Sequence, residues 1–123
     1  MKYLDQYQIF QIAVVKLAKD LTPPRDRSAA ELKGHLTDLQ VTFSQTIARI
    51  DLTDIPPPAN HRLQSLQVEI AKELRLLQVD GLFLQTAKQP ETVAHRQQQI
   101  QNRLATLLRY CSIVLSPPES VTS

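Results

Sequence analysis

The sequence predicts an all-α fold, a four-helix up-down antiparallel bundle, and three observations carry that expectation. The eight prolines fall only at positions 23–24, 56–58, 90 and 117–118. Proline inside a helix removes a backbone hydrogen bond and clashes with the preceding turn, at a cost of about 3 kcal/mol, so these clusters mark where helices stop. Each of the four main stretches between them repeats apolar residues at helical spacing, and the whole chain holds only two glycines and no tryptophan.

A chain of 123 residues forms one domain with a core that needs neither metal nor disulfide to hold it. Residues 1–115 are expected to be that single bundle domain, and 116–123 a flexible C-terminal tail. The formal net charge of +2 is too small for a nucleic-acid binder, which needs a strongly basic face. The charge is unevenly spread: through Pro58 there are seven basic and seven acidic residues, and from Ala59 to Leu115 seven basic against four acidic. The single cysteine, Cys111, excludes an intramolecular disulfide and suggests a reducing compartment. The opening Met-Lys-Tyr-Leu-Asp-Gln lacks a signal-peptide plan, and no stretch approaches ~20 uninterrupted apolar residues. A soluble, cytoplasmic protein without membrane insertion is the expectation.

Helix one is predicted over about Tyr3 to Leu21. Tyr3, Tyr7, Phe10, Val14, Leu17 and Leu21 alternate steps of four and three and form one stripe, while Ile9, Ile12 and Val15 lie off it. Helix two opens on Ser28-Ala-Ala-Glu31, a capping-box pattern in which serine and glutamate each satisfy an orphan amide. Leu32, Leu36, Leu39, Phe43, Ile47 and Ile50 then line a single stripe that ends before Asp51. The other faces of helix two are polar, as befits a helix with one wet side.

Helix three is expected to begin near Asn60, as N-cap after the triple proline, and to continue to about Lys88. Leu63, Leu66, Ile70, Leu74, Leu77 and Leu84 make its main stripe. In helix four Pro90 suits the first turn, where its missing amide costs nothing, and Glu91 complements the positive helix end. Val93, Ile100, Leu104, Leu107, Cys111 and Val114 form the core stripe of this helix. Short connections favour antiparallel neighbours, and their prolines make them semi-rigid spacers.

Two charge pairs are expected to set the register of the last hairpin. Glu73 and Asp80 are seven residues apart beside the leucine stripe of helix three; Arg96 and Arg103 are seven apart on helix four, with Tyr110 continuing their line. Folding the chain back at Gln89 brings Asp80 near Arg96 and Glu73 near Arg103. Such pairs fix register more than stability, since exposed ones contribute only ~0–1 kcal/mol. A second reading has one of the arginines reaching an acidic partner. Gly81, next to Asp80 in mid-helix, costs about 1 kcal/mol relative to alanine, for which close helix packing is the expected return.

Catalytic chemistry is thin. His35, His61 and His95 lie on different helices with no Cys or His at metal-ligand spacing, and no HExxH, CxxC or EF-hand pattern occurs. A di-iron bundle site requires Glu-x-x-His units on two helices, and none exists. With only Gly34 and Gly81, no loop can cradle a phosphate. Cys111 falls in the core register and reads as a buried, inert thiol. No enzyme, cofactor or metal is expected.

The better lead is surplus hydrophobicity. Val68, Leu76, Val79, Leu82 and Phe83 cover much of helix three outside its main stripe, and a helix apolar on several sides must be covered by something. That cover is either helix one, whose Ile9, Ile12 and Val15 have the same excess, or a second subunit or another protein. The polar run His95 to Arg103 on helix four reads first as a solvated face and, as the alternative, offers glutamine and arginine groups to a protein partner. Candidate partner-binding residues are Leu76, Val79, Phe83, Arg96, Gln99 and Arg103.

The run Leu74-Arg-Leu-Leu-Gln-Val-Asp-Gly-Leu-Phe-Leu-Gln-Thr-Ala-Lys-Gln-Pro90 resembles the cyanobacterial heterocyst frequency control family PatD, as does Leu107-Leu-Arg-Tyr-Cys111. The resemblance covers about residues 60–115; the first half is similar only in length and helical character. Gly81 stands where a bulkier apolar residue would be expected in that family. The resemblance implies a small non-enzymatic helical regulator that limits how many cells differentiate into heterocysts and modulates assembly of the tubulin-like division protein FtsZ. It supplies no functional residues, so the candidate surface rests on the residue pattern alone. The alternative is a self-associating helical scaffold or assembly factor, a homo-oligomer built through helices one and three and unrelated to cell division.

Overall fold

Helices form where the apolar stripes lie. The computed structural model describes residues 2–21 and 29–116, and holds α1 (Lys2–Asp20), α2 (Ala29–Gln45), α3 (Ala59–Thr86) and α4 (Pro90–Leu115). No strand occurs among the described residues. Each helix packs against two others: α1 against α2 and α4, and α3 against α2 and α4. The four therefore stand at the corners of an up-down bundle, with α1 diagonal to α3 and α2 diagonal to α4.

The core is the union of the four stripes. Tyr7, Phe10, Val14 and Leu17 meet Leu32, Leu36, Leu39 and Phe43 from α2, Leu63, Ile70, Leu74 and Leu77 from α3, and Ile100, Leu104, Leu107 and Cys111 from α4. Phe10 and Phe43 join α1 to α2 edge-to-face, with centroids 6.0 Å apart. Gly81 leaves room for the Leu36 side chain of α2, because a Cβ there would stand 2.8 Å from Leu36 Cδ1. Two glutamines of α3 brace the same seam: Gln78 Nε2 donates to the Leu36 carbonyl at 2.9 Å and Gln67 Nε2 to the Ile47 carbonyl at 2.7 Å.

Three local expectations need correction. The apolar stripe of helix two runs to Ile50, yet α2 stops at Gln45 and tightens into a 3-10 turn at Ile47–Arg49. The Thr46 hydroxyl donates to the Thr42 carbonyl at 2.7 Å, the Thr46 amide bonds Phe43 at 3.2 Å, and the Thr46 backbone leaves helical geometry. Ile47 is nonetheless buried, so the tighter turn keeps the stripe on the core. Asn60 is not the N-cap of α3. Pro58 holds that position, and the Asn60 side chain, one residue inside the helix, accepts from the His61 amide at 2.8 Å. A backbone acceptor takes the place of a polar cap there: the Asn60 amide donates to the Pro56 carbonyl at 3.3 Å. Finally α3 ends at Thr86, with Ala87 extended, two residues before Lys88. The expected start of α4 holds, with Pro90 in its first turn and Glu91 beside it. Ser28 of the capping box and the tail after Ser116 lie outside the described residues.

Candidate functional site

The α3–α4 seam gathers the charged residues. Asp80 is 3 % exposed, a carboxylate sunk to the level of the leucine stripe. An ionised group at that depth must be paired and hydrogen-bonded to be tolerated. Arg103 supplies the pairing: its Nε donates to Asp80 Oδ2, and its NH1 reaches Glu73 Oε1 at 3.5 Å. Arg96 NH1 lies 3.8 Å from the other oxygen, Asp80 Oδ1. Both pairs read from the sequence, Asp80–Arg96 and Glu73–Arg103, occur here, but the strongest link is the diagonal one, Arg103 to Asp80. The equal seven-residue spacing on both helices makes the sharing possible, and the planar guanidinium fork lets one arginine serve two acids.

The network continues outward. The Arg96 guanidinium sits over the Phe83 ring, 4.5 Å from its centroid. From inside to outside the order is Glu73 and Asp80, then Arg103 and Arg96, then Phe83. Beyond it lies the outer face of α3. Val68 is 64 % exposed and Phe83 46 %, and Val79 and Leu82 are exposed with them. Leu76 and Gln99 are half-buried along the seam. Among the described residues nothing buries Val68, Val79, Leu82 and Phe83, so the cover within the chain that the sequence leaves open is not found there. Helix α1 stands at the opposite corner, and its own Ile9 and Ile12 are also exposed, on the other side of the bundle. A bundle of four has one inward stripe per helix; surplus on diagonal helices points in opposite directions and cannot meet.

The remaining titratable groups have simpler surroundings. His61 and His95 are exposed and His35 is half-buried. Among the described residues no group of three or more His, Cys, Asp or Glu could hold a metal ion. Cys111 is fully buried, and burial pushes its thiol up to about 12, which leaves it protonated and unreactive near neutrality. Burial also raises the Tyr7 hydroxyl above its ordinary value, with the Cys111 thiol adding to the effect. Tyr7 Oη has no hydrogen-bond partner among the described residues, a polar atom that helical periodicity marks only as core.

One feature escaped the sequence. An open cleft of about 680 Å³ lies at the end of the bundle where α1 begins and the 3-10 turns Ile47–Arg49 and Leu52–Asp54 run. Tyr3, Ile50, Ile55 and Pro56 give it apolar walls, and Gln6, Arg49, Asp51 and Asp54 polar ones. Asp51 is held below the usual carboxylate range by the Thr53 hydroxyl and then the Thr53 amide, both of which donate to it. Its residues come from segments about fifty positions apart, with no periodicity to betray them.

No helix among the described residues is long and apolar enough to cross a membrane. No family model, curated protein or solved structure matches this chain.

Proposed function

We propose that this protein is a non-enzymatic helical regulator that acts by binding a protein partner through the outer face of the α3–α4 hairpin. The observation that supports the reading is the uncovered stripe of Val79 and Phe83, flanked by Leu76 and Gln99 and fixed in place by Arg96 over the Phe83 ring. An exposed apolar patch with a polar rim is the usual chemistry of a protein contact. Arg103 takes a different part in this reading from that of Arg96. It is spent on two carboxylates and serves as the internal brace that keeps the seam rigid.

The resemblance of residues 74–90 and 107–111 to the PatD family gives the partner a class. On that basis the protein modulates assembly of the division protein FtsZ in the cytoplasm of a cyanobacterium and thereby influences heterocyst frequency. The test is direct: the protein is added to polymerising cyanobacterial FtsZ and sedimentation or light scattering is followed. A change that disappears with Phe83→Asp supports the reading; no change at several-fold excess ends it.

A second reading, self-association, draws on the exposed Ile9 and Ile12 of α1. Because α1 and α3 are diagonal, joining the α1 face of one copy to the α3 face of the next would be a head-to-tail contact, which yields rings or open filaments. Light-scattering mass across a concentration series decides it: a constant monomer mass at high micromolar concentration removes this reading.

A further inference from the structure

The sequence distributes charge evenly along α3, but the fold does not. Its two central acids, Glu73 and Asp80, are drawn into the seam, with side chains only 13 % and 4 % exposed, and are balanced there by Arg103 and Arg96 together. The bases Lys72 and Arg75 remain exposed, in the same stretch of helix as the apolar stripe. Arg96 is partly exposed but already answers Asp80, so the positive charge open to a partner is that of Lys72 and Arg75. Folding thus leaves on this stretch an apolar face with two exposed bases, Lys72 and Arg75, against one half-buried acid, Glu69, beside Val68.

We propose that the occupant of this face is an acidic amphipathic helix of a partner protein. The inference rests on the protein-binding reading above and names the chemistry of the partner. From Val68 to Phe83 the stripe spans about 22 Å at 1.5 Å per residue, which a partner helix of roughly 15 residues would match. Its apolar anchors, repeating at three and four residues, would pack along Val79 and Phe83, and its flanking carboxylates would face Lys72 and Arg75. The Phe83 ring carries Arg96, which holds that apolar contact in place. Phosphate backbones would find the bases but leave the valines and phenylalanine without a role, so the combination favours protein over nucleic acid.

The test uses the full chain and two synthetic helical peptides of identical leucine pattern, one with glutamate and one with lysine at every other surface position, read by fluorescence anisotropy. The glutamate peptide is expected to bind at least about tenfold more tightly than its lysine twin. The double variant Lys72→Glu, Arg75→Glu is expected to invert that preference while thermal unfolding stays unchanged. Phe83→Ser is expected to weaken the binding of the glutamate peptide. Equal binding of both peptides, or no response to the charge reversal, overturns the acidic-partner inference and leaves protein binding standing. Failure of both peptides with a persisting effect on FtsZ sedimentation overturns it too; failure of both assays removes the inference and the underlying reading together. Two further arms, phosphatidylglycerol vesicles and poly(U) RNA, complete the set. Preference for either over the glutamate peptide assigns the face to a membrane surface or a nucleic acid and overturns the proposal.

Discussion

Helix α4 has two buried seams, and they treat polar atoms in opposite ways. Toward α3 it meets the Asp80 carboxylate, which is answered by Arg103 and Arg96 with Glu73 beside them. Toward α1 it brings Cys111 close to Tyr7, whose hydroxyl has no partner among the described residues. The difference lies in charge. An unpaired neutral hydroxyl in a core costs about 1–3 kcal/mol, which the apolar contacts of the Tyr7 ring can offset. An unpaired carboxylate would cost far more, so it persists only with cations built around it. Charge pairing therefore helps fix the register of the α3 seam, whereas the α1 seam is held by apolar packing.

Removal of Arg103 breaks the comparison most severely. Arg103→Ala strands Asp80 with only the more distant Arg96, and an expected loss of about 3–5 kcal/mol should appear in urea unfolding. A loss below about 1 kcal/mol would mean that the seam is wetter than its burial implies. Asp80→Leu should cost less, about 1–2 kcal/mol, because Arg103 keeps Glu73 and some access to water. In the double variant Arg103→Met, Asp80→Leu most of the loss should return, since an apolar pair of similar volume replaces a paired charge at little net cost.

The α1 seam should respond in the other direction. Tyr7→Phe removes the orphaned hydroxyl and is expected to leave stability unchanged or raise it by about 1 kcal/mol, read as an upward shift in melting temperature. The same seam sets an alkaline limit. The Cys111 thiol titrates near 9.0 when unfolded and near 12 when folded, so its contribution is intact below pH 9 and declines as pH rises through that interval; Tyr7 acts with the same sign. Thiol labelling at pH 8 should accordingly wait for unfolding, and should accelerate in Arg103→Ala. The smallest effect belongs to the outer face: Phe83→Ser is expected to change stability by no more than about 0.5–1 kcal/mol, measured in the same unfolding assay.

Legibility in the sequence followed how local each signal was. The core positions of all four helices followed from steps of three and four, because one helix face is set by rotation per residue alone. The Asp80–Arg96 and Glu73–Arg103 pairs were readable because a hairpin about Gln89 maps one seven-residue spacing onto another. The early end of α2 was not, because Thr42 and Thr46 act through hydroxyl bonds to the backbone that a hydrophobic pattern does not record. The outer face of α3 was readable as surplus grease, but its positive character was not, since the acids are interleaved with the bases in the chain.

The sequence by itself determined four helices, their inward faces and the charged register of the last hairpin, because each depends on contacts within one helix or across one short turn. Only the tertiary structure decided that α1 and α3 stand diagonally, so that their surplus apolar residues cannot cover one another. It alone also placed Asp80 and Glu73 behind Arg103 and gathered the cleft at the loop end. Those outcomes depend on which helices become neighbours, and neighbourhood is settled by packing all four stripes at once.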